Sequence, residues 1–324
     1  MESRIPRREF LATVGGMAAA AAASSLPSKA VLASEKLYPP ADLSYFDTPI
    51  SRGPARIHIG YAAITWGGND RQAIEDISAL GYRGIQLRSN CIAEFSSPQE
   101  LRELLDKKSL QMVALSSGSV NIDPAVEADQ ISACVAHAQF TRDAGGLYLQ
   151  VTDQRPKGRA IVAADYQRLG QLLTEIGKRT ADLGISLGYH NHMGTLGQRP
   201  EEVDQILEAC DPRYAKLLLD VGHYYQGGGD PAKAIEKYHD RLLFLHVKDV
   251  EELPQSTDPK HTYRWVELGR GKVDIPALFA ALKNVKFHGW AVIELDSEPD
   301  PSRTPKESAA MAEKYLEERI GIKV

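Results

Sequence analysis

The sequence has little cysteine, no excess of positive charge and no long apolar run beyond its first residues. Its three cysteines, Cys91, Cys134 and Cys210, have neither metal-motif nor disulfide-framework spacing, so we expect buried thiols. The formal net charge of −5 gives no general attraction to nucleic acid or anionic membranes. No later apolar run approaches the roughly 18–20 residues of a membrane span. The remaining composition, 43% hydrophobic and 25% charged, is that of an ordinary globular protein.

The first residues differ from the rest of the chain. Arg7 and Arg8 precede Phe10-Leu11 and a small-residue apolar run over residues 12–23. This order is typical of a twin-arginine export signal, which sends a folded protein across the bacterial inner membrane. A chance arginine pair in a disordered terminus is the alternative. We predict a signal over residues 1–33, cleaved after Ala33 or an earlier alanine, a connector over 34–55, and a periplasmic or otherwise extracytoplasmic protein.

From residue 56 to residue 324, short β-like runs alternate with longer helical patterns. The eight predicted strands cover residues 57–62, 83–88, 110–116, 146–151, 185–190, 214–220, 242–248 and 290–295. The predicted helices cover residues 71–80, 98–108, 125–144, 165–183, 200–210, 231–239, 275–282 and 306–319, and residues 249–272 are predicted to be a long polar loop. Ser97, Asp230 and Asp274 are predicted helix N-caps.

This alternation predicts a parallel sheet whose strands are joined by helices. Eight repeats without a break in composition favour closure into a single-domain α/β fold, the (β/α)8 TIM barrel. An open, doubly wound sheet is the alternative, but no glycine-rich dinucleotide fingerprint follows the first strand. In such a barrel the catalytic groups lie at the carboxyl ends of the strands.

Four neighbouring strands end in a histidine or a carboxylate. A lone histidine in a strand is more often a hydrogen-bonded core residue, but four successive strands are hard to explain that way. Imidazole and carboxylate ligands together suit Mn, Fe, Co or Zn. We predict one divalent metal held by His190, Asp220, His246 and Glu294. His192 is the alternative to His190, because strand alternation places both on one face.

The same strand ends offer groups for acid–base chemistry. A metal ion and Lys248, which shares a face with His246, would stabilise an enolate oxygen. His192 or His223 would remove the proton next to a carbonyl. Loss of a β-hydroxyl or β-alkoxy group would complete an elimination. Alternatively, Lys248 pairs with Asp220 or Glu294 without taking part in chemistry.

Trp66, Arg88, Gln150 and Arg270 come at or after strand ends and are predicted to line the substrate pocket. Trp66 could equally be a packed aromatic side chain, and Arg88 a surface ion-pair residue. The expected partner is a small molecule, with no nucleic acid and no membrane span. Self-association into a homo-oligomer is compatible with the sequence.

Several motifs carry a resemblance over about residues 57–320. They are Tyr189-His190-Asn191-His192-Met193-Gly194-Thr195, Leu219-Asp220-Val221-Gly222-His223, Leu245-His246-Val247-Lys248-Asp249, Ile293-Glu294-Leu295-Asp296 and Gly269-Arg270-Gly271-Lys272-Val273-Asp274. Together they resemble the xylose-isomerase-like barrel superfamily, and within it inosose dehydratases and their sugar isomerase/epimerase relatives. The resemblance implies a divalent-metal barrel that acts on a polyol or sugar. By position, it implies Asp220, His246 and Glu294 as metal ligands and His223 as a substrate contact.

The chain also departs from the pattern of that superfamily. Its epimerases use two glutamates that flank the substrate, and the position of the first is His190 here. Gln150 and Gln86 stand where some relatives have glutamate, so only Glu294 remains of the pair. This counts against a two-base epimerase.

We therefore predict a lyase or dehydratase that acts on an inosose, another keto-polyol or a 3-keto-glycoside. A sugar isomerase or epimerase in the same barrel and a non-catalytic sugar-binding barrel are the alternatives. The acidic charge and the export signal disfavour a DNA-repair enzyme of the AP-endonuclease type.

Overall fold

Eight parallel strands close into a barrel in the computed structural model, which describes residues 54–255 and 262–324. The strands are β1 (Arg56–Ala62), β2 (Gly84–Arg88), β3 (Gln111–Val120), β4 (Tyr148–Asp153), β5 (Ser186–His190), β6 (Ala215–Asp220), β7 (Leu242–Val247), β8 (Asp249–Glu252), β9 (Tyr263–Val266) and β10 (His288–Ile293). The barrel order is β1-β10-β7-β6-β5-β4-β3-β2, and β8 and β9 form a separate antiparallel hairpin. The predicted TIM barrel is confirmed, and the open sheet is wrong.

Helices connect the barrel strands. They are α1 (Asp70–Ala79), α2 (Cys91–Glu94), α3 (Pro98–Lys107), α4 (Glu127–Asp143), α5 (Ala163–Ala181), α6 (Pro200–Ala209), α7 (Val221–Gln226), α8 (Pro231–Tyr238), α9 (Ile275–Asn284) and α10 (Pro305–Tyr315). A π-helical turn, Leu316–Ile320, follows α10. The predicted N-caps are confirmed: the side chains of Ser97, Asp230 and Asp274 each accept a hydrogen bond from a backbone N–H in the first turn of their helix.

One prediction about the connections is wrong. The segment predicted as a long polar loop contains the hairpin β8–β9, because Asp249 to Glu252 pair with Tyr263 to Val266. The segment after β6 begins with α7, which Asp220 caps by accepting a hydrogen bond from the His223 N–H. The predicted export signal and nearly all of the connector lie outside the described residues. Among the residues that are described, no helix is long and apolar enough to cross a membrane.

The barrel interior has an apolar layer beneath a polar one. The apolar layer includes Val113, Leu218, Phe244 and Val292. Glycines on two strands make room for its large rings: a Cβ on Gly84 would lie 2.3 Å from a ring carbon of Trp290, and one on Gly188 would lie 3.3 Å from Phe244. A polar residue follows two positions after Leu218, Phe244 and Val292, and also after Gly84 and Gly188, on the same strand and therefore on the same face. The fold thus places these polar residues together at the carboxyl ends.

Candidate active site and metal centre

The polar layer at the carboxyl ends contains all four predicted metal ligands. Its members are Gln86, Gln150, His190, Asp220, His246 and Glu294, each two residues after a position of the apolar layer and each buried. Strand pairing sets the position of three of them along the barrel axis. Asp220 lies opposite His246, and Glu294 comes two residues after Val292, the partner of His246 on β10. The alternation of side chains along the strands predicts this convergence correctly.

Three of these side chains turn electron-pair donors toward one another. His246 Nδ1 lies 2.7 Å from Glu294 Oε2 and 3.5 Å from Asp220 Oδ2. Ligand atoms of the three residues all lie within 4.8 Å of one another. Without a proton on Nδ1, this buried nitrogen has no hydrogen-bond partner. An imidazole nitrogen and two carboxylates that face one another in this way need positive charge between them, which a proton on Nδ1 or a bound cation can supply.

The chemistry of these donors fits the predicted metal. One imidazole and two carboxylates suit Mn, Fe, Co or Zn. Burial alone would lower the pKa of His246, but Glu294 and Asp220 outweigh it and raise the pKa to about 9. Burial opposes ionisation of Asp220 as well, yet Lys248 and the neighbouring imidazoles hold its pKa well below the usual value. The site therefore attracts positive charge.

His190 contacts the same carboxylate oxygen of Asp220 that His246 faces. Its Nε2 lies 3.2 Å from Asp220 Oδ2, and it forms a second compact group with Asp220 and His223. Burial lowers the pKa of His190 to about 4. The structure thus places His190 beside Asp220. It places the His192 ring next to that of His223, with the centroids 3.6 Å apart and the rings tilted by 40°.

Gln86 and Gln150 connect His246 to His190 across the barrel, and we call this pair the glutamine bridge. Gln86 Oε1 lies 2.8 Å from His246 Nε2, and Gln86 Nε2 lies 2.6 Å from Gln150 Oε1. Gln150 Nε2 completes the connection, 2.5 Å from His190 Nδ1. Both amides therefore orient imidazoles, and Gln86 is a residue that our prediction of the site left out.

Asn191 fixes the position of Asp220. Its Oδ1 accepts a hydrogen bond from the Asp220 N–H at 2.9 Å, and its Nδ2 donates one to the Asp220 carbonyl at 3.2 Å. This paired bond extends the contact between β5 and β6 by one residue beyond the end of β5. Asn191 points away from the face of His190, so it serves the backbone rather than the metal centre.

Lys248 lies among carboxylates and is 1% exposed. Its Nζ is 2.9 Å from Asp296 Oδ1, 3.0 Å from Glu294 Oε1 and 3.4 Å from Asp220 Oδ2. It also lies 4.5 Å from the centroid of the Trp265 ring. Burial alone would lower the pKa of Lys248, but the three carboxylates outweigh it and raise the pKa. Lys248 thus compensates charge that would otherwise be unpaired.

The two candidate bases differ in what their nitrogens contact. His192 Nδ1–H donates to the Met193 carbonyl at 2.7 Å, which leaves Nε2 as the basic nitrogen of the neutral ring. Both nitrogens of His223 face donors, the Met193 N–H at 3.4 Å and Lys248 Nζ at 3.5 Å. Burial first, and Lys248 in addition, lower the pKa of His223 well below the usual value. These contacts favour His192 as the base.

A cavity of about 280 Å³ opens beside the centre. It is lined by Ile64, Gln86, Arg88, Ser116, Gly118, Ser119, Gln150, Thr152, His190, His192, Thr195, Glu294 and Asp296. Two of the predicted substrate residues, Arg88 and Gln150, are among them. Lys248 is not among these described lining residues, but its ammonium contacts two that are, Glu294 and Asp296.

The other two predicted substrate residues lie elsewhere. Trp66 Nε1 donates to Asp76 Oδ2 at 3.0 Å, and the ring packs edge-on against Tyr61, so Trp66 is a packed aromatic residue. Arg270 lines a separate surface pocket and lies 3.8 Å from Glu267. Neither placement supports the predicted contact with substrate.

Several residues that line the cavity were not predicted from the sequence. Ser116 and Ser119 flank a register shift at the end of β3, where regular alternation fails. The sequence Ser116-Ser117-Gly118-Ser119 was the only local indication that polar side chains reach the cavity from this segment. Asp296 shares a face with Glu294, so alternation alone could have found it.

Comparisons with known proteins agree with the fold. The family model of the xylose isomerase-like TIM barrel matches residues 74–315. The inosose dehydratase of Lacticaseibacillus casei is 26% identical over 300 residues, which is 82% of this chain and 98% of that protein.

Solved structures resemble the chain at lower identity. A crystal structure of the IolI protein with a bound zinc atom has a TM-score of 0.70 at 19% identity, covering 80% of this chain and 96% of that one. The structure of the probable 3-DHS dehydratase AsbF from Bacillus anthracis has a TM-score of 0.65 at 16% identity, and the match covers 81% of this chain and 99% of that one. At these identities the likeness concerns the fold.

Proposed function

The chain belongs to the xylose isomerase-like TIM barrel family, and we propose that it is a metal-dependent lyase that eliminates water or an alcohol from a keto-polyol or keto-sugar. The observation that carries this proposal is the Asp220, His246 and Glu294 cluster beside a cavity that also presents the basic nitrogen of His192. The similarity to inosose dehydratases over nearly their whole length supports the same reaction class.

The residues fit a proton abstraction followed by loss of a leaving group. His192 Nε2 takes the proton from the carbon next to the substrate carbonyl, because its Nδ1–H is held by the Met193 carbonyl. The electron pair of that C–H bond forms the enolate, and its collapse breaks the bond to the β-oxygen. The proton on His192 can pass to that oxygen, so water or an alcohol departs. A divalent ion bound by Asp220, His246 and Glu294 would supply Lewis-acid stabilisation of the enolate oxygen.

Other residues are assigned supporting roles. Arg88 and the serines at the end of β3 offer donors to substrate hydroxyls within the cavity. Lys248 is assigned the neutralisation of Glu294 and Asp296, which it contacts directly, rather than the role of electrophilic helper. Manganese, cobalt, zinc and iron all suit the donors, and the zinc in the IolI structure supports trying zinc first.

Product analysis tests the reaction class. Metal-loaded protein is incubated with keto-inositols and with 3-keto-glycosides, and the products are analysed by mass spectrometry. The proposal expects a product that is lighter by one water, or the release of the aglycone as an alcohol. A product of unchanged mass would indicate an isomerase or epimerase, and the absence of both turnover and bound metal would indicate a binding barrel.

Substitution of the two candidate bases tests the assignment of His192. His192→Ala should lower kcat at least about a hundredfold, because a positioned general base contributes about 10²–10⁴ in rate. His223→Ala should lower it less, since the low pKa of His223 makes it a weak base. If both variants kept turnover within about threefold of the wild type, the mechanism would fail.

We also propose that the protein is exported folded by the twin-arginine route. The Arg7-Arg8 pair ahead of an apolar run supports this. Replacing both arginines with lysine should retain the protein in the cytoplasm of a bacterial host, as measured by cell fractionation. Unchanged distribution would contradict the proposal.

A further inference from the structure

The glutamine bridge joins the two buried histidines of the site through a continuous line of hydrogen bonds. The line runs from His246 Nε2 through Gln86 and Gln150 to His190 Nδ1, and His190 Nε2 then contacts Asp220. Each amide uses one donor end and one acceptor end. Donors must therefore alternate with acceptors along the whole line, which gives the line a direction.

Two directions are available when both imidazoles are neutral, as His246 must be when it ligates a metal. In the first, His246 Nε2–H donates to Gln86, Gln86 to Gln150, Gln150 to His190 Nδ1, and His190 Nε2–H to Asp220. His246 Nδ1 is then the nitrogen with the free lone pair. In the second, the three hydrogen bonds of the glutamine bridge are reversed. His246 then carries its hydrogen on Nδ1, and the free lone pair is on His190 Nε2. The bridge therefore allows one histidine, and not both, to ligate a metal.

The surrounding charges favour the first direction. His246 Nδ1 faces two carboxylates, Glu294 at 2.7 Å and Asp220 at 3.5 Å, whereas His190 Nε2 faces only Asp220. A cation is bound best where the lone pair and two carboxylates converge. In the first direction Asp220 also receives a hydrogen bond from His190, so no lone pairs remain opposed there.

We propose that Gln86 and Gln150 are positioning residues that restrict the metal centre to one imidazole ligand, His246 Nδ1, and make His190 a hydrogen-bond donor to Asp220. This inference rests on the proposed metal site. It replaces the four-ligand set predicted from the sequence with three protein ligands, Asp220, His246 and Glu294. Partners of this kind, which orient a ligand without touching the metal, set the imidazole tautomer and hold the ring.

Replacing one amide of the bridge with a carboxylate, which only accepts hydrogen bonds, should free a lone pair on both His190 and His246. In Gln150→Glu, the new carboxylate accepts from Gln86 on one side and from His190 Nδ1–H on the other. His246 keeps its hydrogen on Nε2, while His190 changes tautomer and its Nε2 lone pair becomes free. Gln86→Glu should have the same effect on His190, because Gln150 can then turn its acceptor end toward His190.

Nitrogen NMR of the histidine rings tests this directly. The full chain, which has nine histidines, is labelled with ¹⁵N-histidine, and long-range ¹H–¹⁵N spectra are recorded with and without Zn²⁺. In the metal-free wild type, His190 should carry its hydrogen on Nε2, while His246 should carry hydrogens on both nitrogens. Zinc should displace the hydrogen on His246 Nδ1 and shift only that nitrogen. In Gln150→Glu, the hydrogen of His190 should move to Nδ1. His190→Gln identifies the His190 signal, and backbone assignment replaces it if that variant does not fold.

The controls separate the bridge from added charge and from the metal site itself. Gln154→Glu makes the same change at an exposed residue just after β4, and it should leave both tautomers unchanged. Coordination of zinc by His190 Nε2 in the wild type, or an unchanged His190 tautomer in both bridge variants, would overturn the inference. Failure to bind zinc would instead refute the proposed metal function, because the tautomer of His190 is read in the metal-free protein as well.

Discussion

At the scale of single residues, Lys248 shows how the site tolerates its charge. Three carboxylates, of which Asp220 and Glu294 are buried, lie within 3.4 Å of its ammonium, and the Lys248 side chain is 1% exposed. Burying several charges is unfavourable unless they are paired, and removing one partner leaves the others uncompensated. Lys248 and the proposed metal ion would therefore share the neutralisation of Asp220 and Glu294.

This sharing predicts how Lys248→Met behaves. The variant keeps the bulk of the side chain but removes its charge, so the free energy of unfolding of the metal-free protein should fall by about 3–5 kcal/mol. Zinc should restore part of this loss, because the ion replaces the missing positive charge. Urea unfolding with and without zinc measures both effects.

The exposed pair between Lys237 and Asp204 supplies the control for that experiment. Lys237→Met should change the free energy of unfolding by no more than about 1 kcal/mol, with or without zinc. An equal loss for Lys248→Met in both conditions would contradict the shared neutralisation.

Asp70, at the first position of α1, predicts a pH dependence of stability. Burial and the nearby Glu94 raise its pKa to about 6, above the unfolded value of about 3.9. Between these values the folded protein holds a proton that the unfolded chain releases, so this residue's contribution to stability falls as pH rises from about 4 to 6. Asp70→Asn should gain stability relative to the wild type over that interval.

Urea unfolding of both proteins at pH 4 and pH 7 measures this difference. Asn90 Nδ2 donates to Asp70 Oδ2 at 2.7 Å, a bond that the Oδ1 of an asparagine can also accept. A difference in the free energy of unfolding between the variant and the wild type that is the same at both pH values would show that Asp70 keeps an ordinary pKa.

At the scale of elements, Asp249 holds the connection between the hairpin and α9 against the barrel. Its Oδ1 accepts from the N–H groups of Val250 and Val273, and its Oδ2 accepts from those of Gly269 and Gly271. There is no room for a side chain beside it, since a Cβ on Gly271 would lie 2.2 Å from Asp249 Oδ1. One buried carboxylate thus fixes the start of β8 and a whole loop.

Asp249→Asn should therefore destabilise the protein. The amide turns a donor toward N–H groups that need an acceptor, and hydrogen bonds to a charged group contribute about 1.5–3 kcal/mol. We expect a loss of about 3 kcal/mol in urea unfolding. Asp274→Asn is the matched control in the same segment, because asparagine caps a helix as well as aspartate does. Equal stability of the two variants would contradict the role of Asp249.

The elements also show what the sequence could and could not predict. Period-two alternation located the eight barrel strands and placed His190, Asp220, His246 and Glu294 on inward faces. It failed where contacts are not local: the hairpin β8–β9 depends on pairing between Asp249–Glu252 and Tyr263–Val266. The end of β3 extends to Val120 because a register shift after Ser116 lets the strand pair with β4 again.

At the scale of the whole molecule, closure of the barrel makes one site from residues far apart in the chain. Gln86 meets His246 across the barrel interior although 160 positions separate them. No pattern along the chain indicates that contact, since it depends on which strands face each other after closure. For the same reason the sequence predicted His190 as a ligand without indicating that its Nδ1 contacts Gln150.

A metal titration tests whether the elimination depends on the proposed metal site. The protein is stripped with a chelator, zinc, manganese, cobalt or ferrous ion is added in measured steps, and the rate of formation of the unsaturated product from a keto-inositol is recorded. We predict no turnover without metal and a rate that rises linearly to saturate at one equivalent per chain. Turnover that chelation leaves unchanged, or that is independent of the added metal, would contradict it.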